Sequence, residues 1–339
     1  MGVFTSSLAA AFPTQDDQTP GTMAANFRRE NNFWARFDAG FLDGKITSSP
    51  GTTKLDRRLE NLSIVGFDSN LGRWGVRGNV KAEYSKRRQS EDEEPRSVVD
   101  ETVMTYSPSV DVTFVTDKGL EIFGGALVQM QPAYTQSVDA GTVSSETAFD
   151  ATRLIVRRFG VLRRSGAWSG GFYYVMGAET TRGFEQSGSD GSTLSENDVI
   201  FVPSRVGVFG EFEAASTLWD FELDFVQARG MGPKDDTGAT IYTDYFEARM
   251  AGLFFFGGAL GMKGGLAHKT LSYANNAYVT LETIPVTSLK LLGVLGKEES
   301  HAYAGIIAAT GKDGQSLPEF NATYEMTGVA VTLGCQISL

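Results

Sequence analysis

The segment NNFWARFDAGFLDG, Asn31 to Gly44, alternates without a break: Phe33, Ala35, Phe37, Ala39 and Phe41 fall on one side, Trp34, Arg36, Asp38 and Gly40 on the other. Successive side chains of a strand point to opposite faces, whereas a helix would mix the two sets. The segment reads as a β-strand with one apolar and one charged face.

The pattern recurs along the chain. In RWGVRGNVKAEYSK, Trp74, Val76, Gly78, Val80, Ala82 and Tyr84 oppose Arg73, Arg77, Asn79, Lys81 and Glu83. In TLWDFELDFVQ, Trp219, Phe221, Leu223 and Phe225 face away from Asp220, Glu222 and Asp224. Further runs are Met104–Thr116, Leu120–Ala133, Thr152–Arg163, Trp168–Glu179, Val199–Phe212, Thr240–Phe254, Gly258–Thr270, Tyr278–Ile284, Leu289–Leu295 and Asn321–Leu339, with Leu62–Phe67 a weaker member and Ala302–Thr310 either a strand or part of a final loop.

Several runs reach the roughly nine to eleven residues of a tilted membrane strand, where soluble strands average about five or six. Connections alternate between brief links, such as DSNLG, TDKG and RRSG, and long polar ones such as KRRQSEDEEPRS and RGFEQSGSDGSTLSEND. Short turns at one end and long loops at the other belong to membrane barrels. The expected fold is all-β, a transmembrane antiparallel β-barrel of about 14 strands (range 12–16) over residues 31–339, preceded by a polar segment, 1–30. Small residues at Ala9–Ala11 resemble a signal-peptidase site, so that segment is expected to be a signal remnant, a tail or a lumen insert.

Composition agrees. Thirty-nine glycines and 23 phenylalanines among 339 residues describe a strand- and turn-rich chain. A mean hydropathy of -0.15 looks soluble, but lipid-facing and lumen-facing residues cancel in such an average. The longest largely apolar stretch, Ala251–Met262, is short of the roughly 20 residues a membrane helix needs. A net charge of -11 disfavours nucleic acid, which requires a basic face. Cys335 is the single cysteine and is expected in the closing strand as a small hydrophobe.

The last residues, TLGCQISL, place Thr332, Gly334, Ile337 and Leu339 in the order polar, Gly, apolar, apolar. They resemble the signal by which barrel-assembly machineries recognise outer-membrane proteins, and they lie on a strand whose Val329, Val331, Leu333, Cys335, Ile337 and Leu339 form one apolar face. Members of the porin-like superfamily usually end in an aromatic residue, where this chain has Leu339. The resemblance implies residence in the outer membrane of a Gram-negative-type bacterium. Implied contacts are outer-membrane lipid, the assembly machinery, small solutes, and further envelope proteins or a second copy.

Functional expectations rest on the charged faces. Arg36, Asp38, Arg73, Arg77 and Lys81 fall on early strands, and Asp220, Glu222, Asp224, Glu247 and Arg249 on later ones. Opposed basic and acidic walls would set up a transverse field across an open lumen, the constriction of a porin passing small hydrophilic solutes or ions. In the alternative these charges, with Glu211, pair into networks that fill the interior. A nonconducting barrel that docks other envelope proteins is the second functional reading. Trp34, Trp74, Trp168, Trp219, Tyr84, Tyr106 and Phe225 fall near strand ends, as interfacial girdles do.

Enzymatic chemistry is not expected. His268 and His301 are the two histidines, neither at metal-ligand spacing, so no metal and no cofactor are assigned. His268 runs in phase with Leu260, Met262 and Leu266 and reads as packed or interfacial rather than catalytic. GSDGSTLSEND lacks calcium-loop spacing, and GTTK at Gly51–Lys54 lacks the first glycine of a phosphate loop. The sequon at Asn321 is idle in a bacterial envelope.

Overall fold

The computed structural model describes residues 31–47, 52–91, 98–139, 141, 144–202, 204–214, 217–228, 242–257, 259–274, 280–297, 300–313 and 323–339. The expected 1–30 segment and the sequon at Asn321 lie outside them. Strands are β1 (Asn32–Thr47), β2 (Thr52–Leu71), β3 (Trp74–Glu91), β4 (Val98–Val115), β5 (Leu120–Gln131), β6 (Tyr134–Asp139), β7 (Ser144–Phe149), β8 (Thr152–Ser165) and β9 (Trp168–Met176). They continue as β10 (Ala178–Gly188), β11 (Thr193–Val202), β12 (Arg205–Ala214), β13 (Thr217–Ala228), β14 (Tyr242–Gly257), β15 (Leu260–Ala274), β16 (Thr280–Gly296), β17 (His301–Asp313) and β18 (Thr323–Ser338).

All 18 strands join one antiparallel sheet. Its ladders run β1–β2–β3–β4–β5–β8–β9–β12–β13 and on through β14, β15, β16, β17 and β18. β18 pairs in turn with β1, from Asn32↔Ser338 to Thr47↔Thr323. The other four strands extend the sheet on the long-loop side, where β6 lies between β4 and β7, and β10 between β7 and β11.

The expected count of about 14 is therefore corrected to 18. Of the runs expected as single strands, Trp168–Glu179 is cut at Gly177 and Val199–Phe212 between Val202 and Arg205, and two further strands, β6 and β7, lie between β5 and β8. YTQSVD and SSETAF carry little apolar alternation, so only their partners reveal them as strands. In the other direction, Tyr278–Ile284 and Leu289–Leu295 merge into β16, while Ala302–Thr310 is a strand, β17.

Turns at the opposite end are tight. Gly72 (φ 78°) and Gly119 (φ 72°) occupy left-handed conformations between β2 and β3 and between β4 and β5, which a residue with a Cβ adopts only with strain.

Side-chain direction follows the alternation. Along β8, Leu154, Val156, Arg158 and Leu162 are buried while Arg153, Ile155, Arg157, Phe159 and Arg163 are exposed. Phe33, Phe37, Phe41, Phe172, Leu291, Val331 and Leu333 stand on the same outer face. Such a large exposed apolar area is stable against lipid and not against water. Trp74 packs on Phe114 at 4.7 Å and Trp168 on Phe212 at 4.5 Å, all beside short turns, which makes a girdle on that side. Trp34, expected in the girdle, instead turns inward onto Leu59, Leu62 and Ile64. The side chains of Trp219 and Phe225 lie outside the described residues.

Candidate functional site: the inner face of the wall

Inward charges occur as ion pairs set by strand register. Asp68, Arg77 and Asp111 oppose one another across β2, β3 and β4, and Gly125 and Arg158 continue the row on β5 and β8. Arg77 grips Asp68 through Nε and through an Nη2–Oδ2 contact of 2.6 Å. Arg158 donates two hydrogen bonds to Asp111, at 2.6 and 2.5 Å, reaching across the intervening strand. A Cβ at Gly125 would collide with the Asp111 carboxylate, so the missing side chain is what lets the fork span β5. All four charged residues are at most 8% exposed.

Two more pairs lie nearby. Arg36 holds Asp38 on β1 at 2.9 and 2.7 Å, and Arg164 holds Glu121 at 2.9 Å. Such forked, charge-assisted bonds neutralise both partners locally. Lys290 and Glu211 are inward-facing and each 1% exposed.

One sector of the inner face is apolar. Phe123, Val156, Leu162, Tyr173, Val175 and Phe209 form one buried cluster across β5, β8, β9 and β12. Its rings lie on glycines of the next strand: a Cβ at Gly160 would strike Phe123, at Gly207 Tyr173, and at Gly171 Phe209. The same device places Trp34 on Gly66 and Tyr303 on Gly334. Ring-on-glycine contact covers backbone that no side chain shields and keeps the wall thin where the interior is full.

Where β6, β7 and β10 extend the sheet, a second aromatic group sits over the mouth. Tyr134 stacks on Phe149 at 4.8 Å, Phe149 meets Phe184 at 5.8 Å, and the Arg182 guanidinium lies 4.3 Å from the Phe149 ring centroid. Arg182 also donates to the Tyr134 hydroxyl at 2.8 Å. Burial, with the Glu101 carboxylate beside it, pushes the Tyr134 phenol well above its ordinary range.

The expected constriction residues separate into distinct groups. Arg36, Asp38 and Arg77 do face inward but are engaged as above. Lys81 faces inward 3.9 Å from Glu83. Arg73 is corrected: it lies in the β2–β3 turn, exposed, 2.5 Å from Asp117, because the strand alternation stops one residue before it would reach the wall. The side chains of Asp220, Glu222, Asp224, Glu247 and Arg249 lie outside the described residues; in register, Glu222 opposes Arg249 and Asp224 opposes Glu247. Sequence reading missed Asp68, assigned to a turn, then Asp111, Glu121 and Lys290, each a single charge inside an apolar run, and Arg158, which directly follows Arg157.

At the C-terminus Thr332 is fully buried and faces inward beside Asp38, and Gly334 sits under Tyr303 beside Arg36. Ile337 and Leu339 point outward. His301 is inward and ringed by Phe255 and Tyr303. His268 is exposed on the outer face, 3.0 Å from the Thr287 hydroxyl. Among the described residues no cluster of metal-ligating side chains occurs.

Comparison with protein-family models and with curated proteins gives no match. Solved structures do share the architecture. A FadL homologue of Pseudomonas aeruginosa superposes with a TM-score of 0.67 at 10% identity, covering 94% of this chain and 92% of that one. The toluene transporter TbuX of Ralstonia pickettii gives 0.61 at 8%, covering 95% and 92%. TodX, a toluene transporter of Pseudomonas putida, gives 0.56 at 10%, covering 95% and 93%. The fold is that of an outer-membrane β-barrel. At this identity the likeness speaks for the fold alone.

Proposed function

We propose that the ladder cycle from β1 to β18 is a closed wall spanning a Gram-negative-type outer membrane, and that its interior passes small apolar or amphipathic molecules. The observation that carries this is the inner face of β5, β8, β9 and β12, where six apolar side chains, three of them aromatic, form one buried cluster. A pore for hydrophilic solutes needs a wide, water-lined lumen with charges free to act on the solute. Here Arg36, Arg77, Arg158 and Arg164 are each neutralised by a carboxylate. The structural neighbours described as toluene transporters agree in substrate character.

The test reconstitutes the full chain into phosphatidylcholine vesicles. Uptake of toluene faster than through protein-free vesicles, with no swelling in arabinose, is the expected result. Swelling in arabinose, or a large steady conductance in planar bilayers, would restore the hydrophilic-pore reading with its charged walls. Neither uptake nor conductance would favour the docking scaffold, for which the extra sheet of β6, β7, β10 and β11 offers a surface. Recognition of Thr332, Gly334, Ile337 and Leu339 by an assembly machinery belongs to the same proposal: Gly334→Val should reduce membrane insertion in cells.

A further inference from the structure

We infer that the outer face of β1, β2, β3 and β8 binds the phosphate groups of an anionic lipid in the leaflet nearer the long loops. This rests on the membrane-spanning reading above.

On β1, β2 and β3 the outward positions nearest the short turns are apolar, and they change character towards the loops. On β3 the outward series runs Trp74, Val76, Val80 and Tyr84, then Lys86 and Arg88. On β1 it runs Phe33, Phe37 and Phe41, then Asp43 and Lys45, and on β2, read from the turn, Phe67 and Val65, then Glu60, Arg58, Asp56 and Lys54. On β8 it runs Arg163, Val161, Phe159, Arg157, Ile155 and Arg153, with Arg157 and Arg153 on the loop side. The cations thus stand just above the lipid-facing band, where headgroup phosphates lie, and Arg157 within its upper edge can extend its stem along Ile155 and Phe159.

Register sharpens the case. Arg58 lies directly opposite Lys86, and Lys45 opposite Lys54. Like charges in directly opposed positions destabilise a ladder unless an anion answers them. Around Lys86 and Arg88 the carboxylates do so in part: Glu60 is 3.4 Å from Lys86 and Asp100 is 3.9 Å from Arg88, in pairs 40–62% exposed, and Asp56 opposes Arg88 in register. Arg58, Arg153 and Arg157 are exposed and make no ion pair among the described residues. Tyr84, with the Lys86 ammonium 5.8 Å from its ring, and Tyr106 mark the interface beneath. In a chain of net charge -11, this concentration of outward cations opposes the overall field and has no role in the lumen.

The full chain in zwitterionic detergent is titrated with diphosphorylated lipid A, with phosphatidylcholine and with inorganic phosphate, and binding is followed by the shift in thermal unfolding. Saturable stabilisation by lipid A alone, weakened by salt, is expected. The triple variant R58Q/K86Q/R88Q should bind roughly a hundredfold more weakly, at about fivefold per cation removed. R153Q should lose about fivefold, and R58K, which keeps the charge, should bind as wild type. Lys297→Gln, at a short turn, serves as the unaffected control. Equal stabilisation by inorganic phosphate would assign the cations to free phosphate and overturn the lipid assignment. Undiminished lipid A binding by both R153Q and the triple variant would overturn the site. Failure of wild type to insert into phosphatidylcholine vesicles would sink the membrane-spanning reading; insertion without headgroup preference would sink only this inference.

Discussion

Arg157 and Arg158 are adjacent in sequence and have opposite fates. Arg158 turns inward, 8% exposed, and is forked onto Asp111 at 2.6 and 2.5 Å. Arg157 turns outward between Ile155 and Phe159 with no ion partner among the described residues. Arg87 and Arg88 repeat the contrast on β3, inward to Glu101 and outward near Asp100. The difference lies in strand parity alone. On the inner face desolvation makes a partner obligatory, and on the outer face water or headgroups supply the counter-charge.

The most severe way to break the contrast is Asp111→Ala, which strands Arg158 in the interior. Loss of one member of a buried pair costs about 3–5 kcal/mol, and the urea midpoint of the vesicle-refolded chain should fall accordingly. Arg157→Gln should stay within about 0.5 kcal/mol of wild type. Because the penalty arises from the orphaned charge, the double variant D111L/R158M should recover much of it. An Asp111→Ala midpoint equal to that of Arg157→Gln would mean that the inner row is hydrated.

Glycines sharpen the same distinction with a smaller effect. Gly160 faces inward, and its new methyl group would meet the Phe123 ring and the Phe172 carbonyl. Gly160→Ala should cost about 1–3 kcal/mol by overpacking. Gly293 faces outward, where a Cβ meets only the Ala304 carbonyl oxygen at 3.8 Å. Gly293→Ala should be neutral or slightly stabilising in the same urea titration.

Much of this contrast is legible in the amino-acid sequence. Alternation in Phe33–Phe41 and Trp74–Tyr84 marks the strands, their two faces and the outward placement of Trp74 and Trp168. Partnership is not legible there, because pairing depends on which strands become neighbours. Asp111 and Arg158 are 47 residues apart, and they meet across β5 only because Gly125 has no side chain. The expectation of a charged wall fails at Arg77 for that reason: its counter-ion, Asp68, sits in what reads as a turn. Strand number fails where polar segments such as YTQSVD extend the sheet, since half-solvated short strands carry no strong period.

The weakest case tests the outer limit of the comparison. At the β10–β11 turn the Ser192 hydroxyl and amide donate to Asp190 at 2.5 and 2.9 Å, in full solvent. These bonds, the hydroxyl first, hold the Asp190 carboxyl below its ordinary range. A lowered folded-state pKa contributes stability above the unfolded value, and that contribution is lost as pH falls through the folded one. Its window therefore lies on the acid side of about pH 4. Ser192→Ala should return the Asp190 carboxyl towards its ordinary range, followed by its carbon chemical shift across an acid titration, with any fall in the urea midpoint seen above that window and absent below it. An unshifted titration would show that an exposed hydrogen bond to a carboxylate counts for nothing here, leaving the whole electrostatic stabilisation of the wall to its buried inner row.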